Sequence, residues 1–373
     1  MIYFDNAATT KYKPDQVYEA FNYYIREVGV SPGRGSYSLA IQASRMLFQA
    51  RKTVANFFGV NTPSNVAFTK NSTEAINLFL RGYLKQGDHV LISPYEHNAV
   101  LRPLHTLKEE GRIEYTVLPE DAIYNPAKLL ASYVQGNTKL LVCTLASNLT
   151  GQILFNKELS AEAHRLGLFV FLDSSQGAGK FRINMSADGI DALAFTGHKD
   201  LMALPGVGGL VSLEQLIITP LVQGGTGIHG ESYTNPQAYP DSYESGTLNM
   251  PAIWALKSAI EYVEDHFEDI SKKEAHLMET LTKKLSTLTN VTVYHADSAR
   301  VSTLCFNVKN TPSSTVVKIL DEASICVRGG IHCAILAHQT LGTVETGAVR
   351  VSLNYLNTEE EIDQLIEVIK GIS

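Results

Sequence analysis

Short apolar runs recur along the chain between stretches in which apolar residues return every three or four positions, and this alternation predicts the fold. From residue 66 to about 221 the runs are Val66-Ala67-Phe68-Thr69, His89-Val90-Leu91-Ile92, Leu140-Leu141-Val142-Cys143, Phe169-Val170-Phe171-Leu172 and Ala192-Leu193-Ala194-Phe195. Strands that are apolar on both faces belong to a largely parallel sheet with helices on either side. A further strand is expected at 207–212, after a glycine-rich turn. Ligands of such sheets sit beyond the carboxyl ends of the strands.

Around Pro251 the pattern changes. Residues 252–288 read as one long or broken helix. Strand-like runs follow at Val291-Thr292-Val293-Tyr294, Thr303-Leu304-Cys305-Phe306, Ile325-Cys326-Val327-Arg328 and Val349-Arg350-Val351-Ser352, with helical patterns between them. The expected architecture is α/β: a large, mostly parallel-sheet domain over 15–250, and a smaller α+β domain from 1–14 and 251–373.

Composition narrows the partners. A chain of 373 residues, 45% apolar and 18% charged, has enough apolar surface for two domain cores. The net charge of -7 and the lack of a Lys/Arg block speak against nucleic acid, whose phosphates need a basic face. No apolar run reaches the roughly 20 residues that span a bilayer, and Met1-Ile2-Tyr3-Phe4-Asp5-Asn6 has no signal-peptide pattern, so no membrane partner and a cytoplasmic location are expected. Four cysteines form neither a disulfide framework nor a zinc spacing, and no metal site is expected. Cys143, Cys305 and Cys326 lie in strand-like runs, where cysteine acts as a small hydrophobe. Cys333 lies outside them, in a glycine-containing stretch.

The candidate chemistry gathers at strand ends. Thr196-Gly197-His198-Lys199 follows the run 192–195, and Asp173 closes the run 168–172, so an amine and a carboxylate meet near one sheet edge. A lysine that joins an aldehyde and a carboxylate that faces a pyridinium nitrogen are the two groups pyridoxal phosphate most needs. After the strand at Val66 comes Asn71-Ser72-Thr73-Glu74, a helix start with capping-box spacing. Its free N–H groups suit a phosphate, which Thr196 and His198 also reach. The glycine-rich pieces 206–209 and 224–227 lack the G-x-G-x-x-G order between strand and helix, which removes a dinucleotide reading.

Taken in order, the motifs resemble a family: fold-type I pyridoxal-phosphate enzymes of the class V aminotransferase branch, within it the cysteine desulfurases and selenocysteine lyases. The resemblance runs from Tyr3-Phe4-Asp5-Asn6-Ala7-Ala8-Thr9-Thr10 through Tyr95-Glu96-His97-Asn98, Ser147-Asn148-Leu149-Thr150-Gly151 and Asp173-Ser174-Ser175-Gln176 to the Lys199 motif. It continues through Glu244-Ser245-Gly246-Thr247 to Arg328-Gly329-Gly330-Ile331-His332-Cys333-Ala334. The resemblance implies that Lys199 binds the cofactor aldehyde, Asp173 its ring nitrogen and Gln176 its phenolic oxygen, with His97 stacked on the ring and handling protons. It assigns the phosphate to Ser72, Thr73, Thr196 and His198, joined by Thr247 from a second subunit of a homodimer. Asn148 and Arg350 are to hold the substrate carboxylate, with Arg328 beside them; a guanidinium fork suits that group.

Cys333 is then the sulfur acceptor, its thiolate favoured by His332 and Arg328. The short Arg-x-Gly-x-His-Cys-Ala form resembles the group II desulfurases, which hand sulfur to an acceptor protein. The implied reaction turns L-cysteine into L-alanine and a persulfide on Cys333. Selenocysteine lyase is the nearest alternative; an aminotransferase and a non-catalytic scaffold are the others. Relatives commonly carry Gly-Pro where this chain has Ala203-Leu204, a frequent histidine at Tyr37, and small apolar residues at Ser174-Ser175.

Overall fold

The computed structural model describes residues 1–33, 35–228 and 231–372. Its centre is a seven-stranded sheet. In chain order the strands are β2 (Val66–Thr69), β3 (Asp88–Ile92), β4 (Ile113–Val117), β5 (Thr138–Thr144), β6 (Phe169–Asp173), β7 (Ala192–Thr196) and β8 (Gly208–Ser212), after a short β1 (Ile2–Tyr3) that pairs elsewhere. Across the sheet they run β2-β8-β7-β6-β5-β3-β4, parallel except for β8, which is antiparallel to both neighbours.

Alternation along each strand sends side chains to opposite faces. Val142, Phe171, Ala192, Ala194 and Leu210 point one way, onto Ile76, Phe79 and Leu104. Leu172, Leu193, Phe195 and Val211 point the other way, onto Val54, Phe58, Ile253 and Leu256. The helices involved are α2 (Ser38–Phe57), α3 (Ser72–Tyr83) and α4 (Asn98–Glu109), after α1 (Asp15–Tyr23), together with the helix Met250–Asp265. Phe79 and Phe171 stack with centroids 4.2 Å apart. Each such ring, fully buried, contributes about 1.5–3 kcal/mol.

The C-terminal part builds a four-stranded antiparallel sheet in the order β12-β13-β10-β9, from β9 (Val291–Val293), β10 (Thr303–Val308), β12 (Arg328–Gly330) and β13 (Ala348–Ser352). The short strand β11 (Ile325–Cys326) pairs in parallel with β1.

One detail of the pattern reading becomes definite and two differ from it. The stretch 252–288 is two helices, Met250–Asp265 and Phe267–Ser286, broken at His266, whose φ of -114° leaves the helical region. The first of them packs in the core under the large sheet with α1 and α2. The run 325–328 is split between β11 and β12, so it serves two sheets. Strand β4 has no apolar run to announce it: it lies at the sheet edge, and only Ile113 is fully buried.

Candidate active site

The register of the sheet brings the chemistry together. Thr144 pairs with Asp173 and Asp173 with Ala194, so β5 and β6 end level and β7 runs two residues further, to Thr196. Lys199 follows three residues after β7. The turn beyond it closes through Met202 N–H to the Lys199 carbonyl (2.8 Å) and Ala203 N–H to the Gly197 carbonyl (2.8 Å). Met202 there takes a left-handed φ of 56°. The N-terminal motif forms the floor: Thr10 Oγ1 donates to the carbonyls of His198 and Lys199, both at 3.1 Å, and Gln176 Nε2 to the Ala7 carbonyl at 2.9 Å.

These ends enclose a cavity of about 190 Å³. Its wall includes nine of the residues expected from the sequence: Ser72, Thr73, His97, Asn148, Asp173, Gln176, Thr196, His198 and Lys199. Asn71, Thr144 and Ser175 complete it. Ser175 donates from its hydroxyl and its amide to Asp173 Oδ1, which holds that carboxylate in place. A serine two positions after a strand-end aspartate was the signal for it.

At the far end stands the N-terminus of α3. Asn71 Oδ1 accepts the Glu74 amide at 3.0 Å, while Glu74 reaches back to the Lys70 amide at 2.6 Å rather than to Asn71. Gly208 makes room beside it: a Cβ there would lie 2.9 Å from the Asn71 backbone and 2.5 Å from the Phe195 carbonyl.

Burial sets the protonation states. Desolvation lowers the Lys199 pKa, with Asp173 and Asp200 pulling it up and Arg350 and Arg328 pushing it down. Desolvation together with the Lys199 charge pushes His97 and His198 down to about 4. His97 Nδ1 accepts the Ala99 amide at 3.0 Å, so its proton resides on Nε2. Behind His97, the fully buried Glu96 is pushed up to about 8 by desolvation, although the Ser93 hydroxyl (2.5 Å) and the Thr144 amide (2.7 Å) bond to Oε1. At neutral pH it is mostly a neutral acid.

The remaining expected residues stand around this cavity. Arg350 is buried on β13. Its Nη1 donates to the Asn148 carbonyl (2.9 Å), its Nη2 pairs with Asp5 Oδ1 (2.6 Å), and its Nε is buried without a partner. Asp5, which pattern reading did not single out, therefore occupies part of the fork expected for a substrate. Asn148 also donates from Nδ2 to the His332 carbonyl at 2.7 Å. The Cys333 carbonyl accepts the Asn98 amide at 2.9 Å, which places the cysteine loop against the His97 segment.

His332 and Cys333 both adopt left-handed φ values, 55° and 57°. Two successive non-glycine residues there store backbone strain of order 1–3 kcal/mol each. Cys333 is exposed, whereas Cys143 and Cys305 are buried thiols pushed upward by desolvation. The expected help from His332 is not electrostatic: burial pushes it down to about 3, so it is neutral. Arg328 is exposed on β12, and its charge acts on both His97 and Lys199. Thr247 is not in the cavity of its own chain. It lines a separate cleft of about 420 Å³ with Lys70 and Glu74.

A family model described as aminotransferase class-V matches residues 2–365. The chain belongs to the class V aminotransferase family. A probable cysteine desulfurase from Methanothermobacter thermautotrophicus is 33% identical over 100% of this chain and 94% of its own length. A cysteine desulfurase from Yersinia pestis is 29% identical over 100% of this chain and 93% of its own. Among solved structures, the apo cysteine desulfurase from Thermococcus onnurineus superposes with a TM-score of 0.90 at 30% identity, over 99% of this chain and 94% of the other. The S-sulfonic acid form of a cysteine desulfurase from Escherichia coli gives 0.86 at 27% identity, over 98% and 93%. The fold is thus the fold-type I arrangement of pyridoxal-phosphate enzymes. Class V enzymes of this kind depend on that cofactor.

The residues fit such a group. The cavity is polar, its amine and carboxylate stand at the carboxyl ends of the neighbouring strands β7 and β6, and Thr196 Oγ1 and Asn148 Oδ1 are buried in its wall without partners. Buried polar atoms without partners are costly unless something bonds to them.

Proposed function

We propose that this chain is a homodimeric cysteine desulfurase, which takes L-cysteine, releases L-alanine and passes the sulfur through Cys333 to an acceptor protein in the cytoplasm. The observation that carries the reading is the convergence of Lys199, Asp173 and His97 on one cavity, with the strained Cys333 loop bonded to Asn98 beside it. In this reading Lys199 binds the aldehyde of pyridoxal phosphate, Asp173 the ring nitrogen and Gln176 the phenolic oxygen. Ser72, Thr73, Thr196 and His198 hold the phosphate, and Thr247 of a second subunit joins them. When bound, the cofactor supplies an electron sink that makes the substrate Cα–H acidic.

The chain's own groups do the rest. Asn148 and Arg350 orient the substrate carboxylate, which shares Arg350 with Asp5 or displaces it. Lys199, its basicity tempered by burial, takes the proton from Cα at Nζ. The Cys333 thiolate attacks the substrate sulfur: an S–S bond forms as the Cβ–S bond breaks, and that bond's electron pair stays with carbon. Protonation at carbon then completes alanine.

Incubation with L-cysteine followed by alkylation and peptide mapping tests this. Extra sulfur on Cys333, matched by alanine release that Cys333→Ala abolishes, is expected. Alanine release from selenocysteine alone would replace the reading with a selenocysteine lyase.

A further inference from the structure

Lys199 is followed by a buried aspartate whose contacts reach well away from the cavity. Asp200 Oδ2 accepts the Gly177 amide at 2.9 Å, and Oδ1 lies 3.2 Å from Lys180 Nζ. Lys180 Nζ also lies 3.1 Å from Glu274 Oε2 and donates to the Leu353 carbonyl at 3.4 Å. Glu274, on the helix Phe267–Ser286, accepts the Ser302 hydroxyl and, at 3.0 Å, the Tyr355 amide. The side chains of Lys180, Asp200 and Glu274 are 11%, 3% and 4% exposed, so the triad is an interior one.

One ammonium therefore ties four pieces of chain. They are the loop after Asp173 and Gln176, the turn after Lys199, the helix of Glu274, and the segment leaving β13, the strand of Arg350. Contact continues at backbone level, since a Cβ on Gly179 would come within 2.5 Å of the Asp200 carbonyl. None of the three charged residues lines the cavity. A buried triad of this kind pays desolvation that apolar packing would avoid, so its value is sought in what it positions.

We propose that Asp200, with Lys180 and Glu274, is a positioning device that sets Lys199 against Arg350 and backs the lysine with a carboxylate. The inference rests on the reading of Lys199 as the cofactor lysine. Asp200 is one of two carboxylates that raise the lysine's basicity, Asp173 being the other; Arg350 and Arg328 oppose them, and His97 and His198 are neutral at working pH. Lys180 keeps its charge, because its two carboxylate neighbours outweigh its burial.

The test is a pH titration of the visible absorption of holoprotein loaded with pyridoxal phosphate, beside steady-state kinetics on L-cysteine. In Asp200→Asn the spectral midpoint is expected to fall by about half a unit or more, as loss of a nearby carboxylate requires. The KM for L-cysteine is expected to rise roughly fivefold as the Lys199-to-Arg350 placement loosens. Lys180→Met cuts the tie but leaves Asp200 and Glu274 to share a proton, so KM rises while the midpoint stays. Should Asp200→Asn fail to fold, Lys180→Met decides through KM. Variants that lose thermal stability while keeping the wild-type midpoint and KM overturn the positioning role. Wild-type protein with no visible absorption overturns the cofactor-lysine reading, and this inference with it.

Discussion

At the residue scale, the proposed function gives cofactor capture and sulfur capture to two different side chains. Lys199 lines the cavity; Cys333 stands exposed on a loop outside its wall. Lys199→Ala is expected to abolish the borohydride-trapped adduct and to slow alanine release roughly a thousandfold. Cys333→Ala should keep the wild-type visible spectrum yet accumulate no persulfide, as read by mass spectrometry. Both residues were legible from their motifs. The part of Asp5 was not, because its partner Arg350 lies 345 positions away.

Among elements, the most exacting contact joins α2 to the edge strand β2 and to the segment before Thr247. Arg51 pairs with Glu244 through Nη1 and Nη2 and donates from Nη1 to the Val66 carbonyl at 2.6 Å, while Glu244 Oε1 accepts the Phe68 amide at 2.6 Å. Removing the cation strands a buried carboxylate. Arg51→Ala should cost about 3–5 kcal/mol in denaturant titration. Gly208→Ala is expected to act on binding, since its Cβ would collide with the Phe195 carbonyl and the Asn71 backbone. Cofactor affinity, measured by equilibrium dialysis, should fall roughly tenfold, or about 1.4 kcal/mol. The strands of the seven-stranded sheet could be read from apolar runs, except for β4, whose edge position leaves it half-solvated.

For the whole molecule, buried histidines weaken the fold in acid, opposed by Glu96, whose raised pKa lets the folded chain take up a proton before the unfolded one does. His97, His198 and His332 are all held neutral by burial, at about 4, 4 and 3, against an ordinary value of 6.5. Above pH 6.5 neither folded nor unfolded chain protonates them, so they do not affect stability. Below it the unfolded chain binds protons that the folded one refuses, and stability falls with pH toward 4. The melting temperature is expected to drop by several degrees between pH 7 and 5. A rise on acidification would mean that the proton taken up by Glu96 outweighs those refused by these rings. The proposed homodimer belongs to this scale too: Thr247 lies outside its own chain's cavity, and sedimentation of fully active monomer would remove it from the phosphate site. The division at residue 250 remains our proposal for the folding units. Among the described residues, no helix is long and apolar enough to cross a membrane.

Sequence alone determined the local terms: which runs form strands, where a helix start can face an anion, and which lysine, aspartate and cysteine are the candidates for the chemistry. Those follow from periodicity and from residue type at fixed offsets, which short-range physics sets. Tertiary structure decided what meets what. The pairing of Arg350 with Asp5, the neutrality of His332, the exclusion of Thr247 from its own cavity and the Lys180–Asp200–Glu274 triad all join residues scores to hundreds of positions apart or depend on burial. Burial and long-range contact are properties of the packed chain, and no window of neighbouring residues contains them.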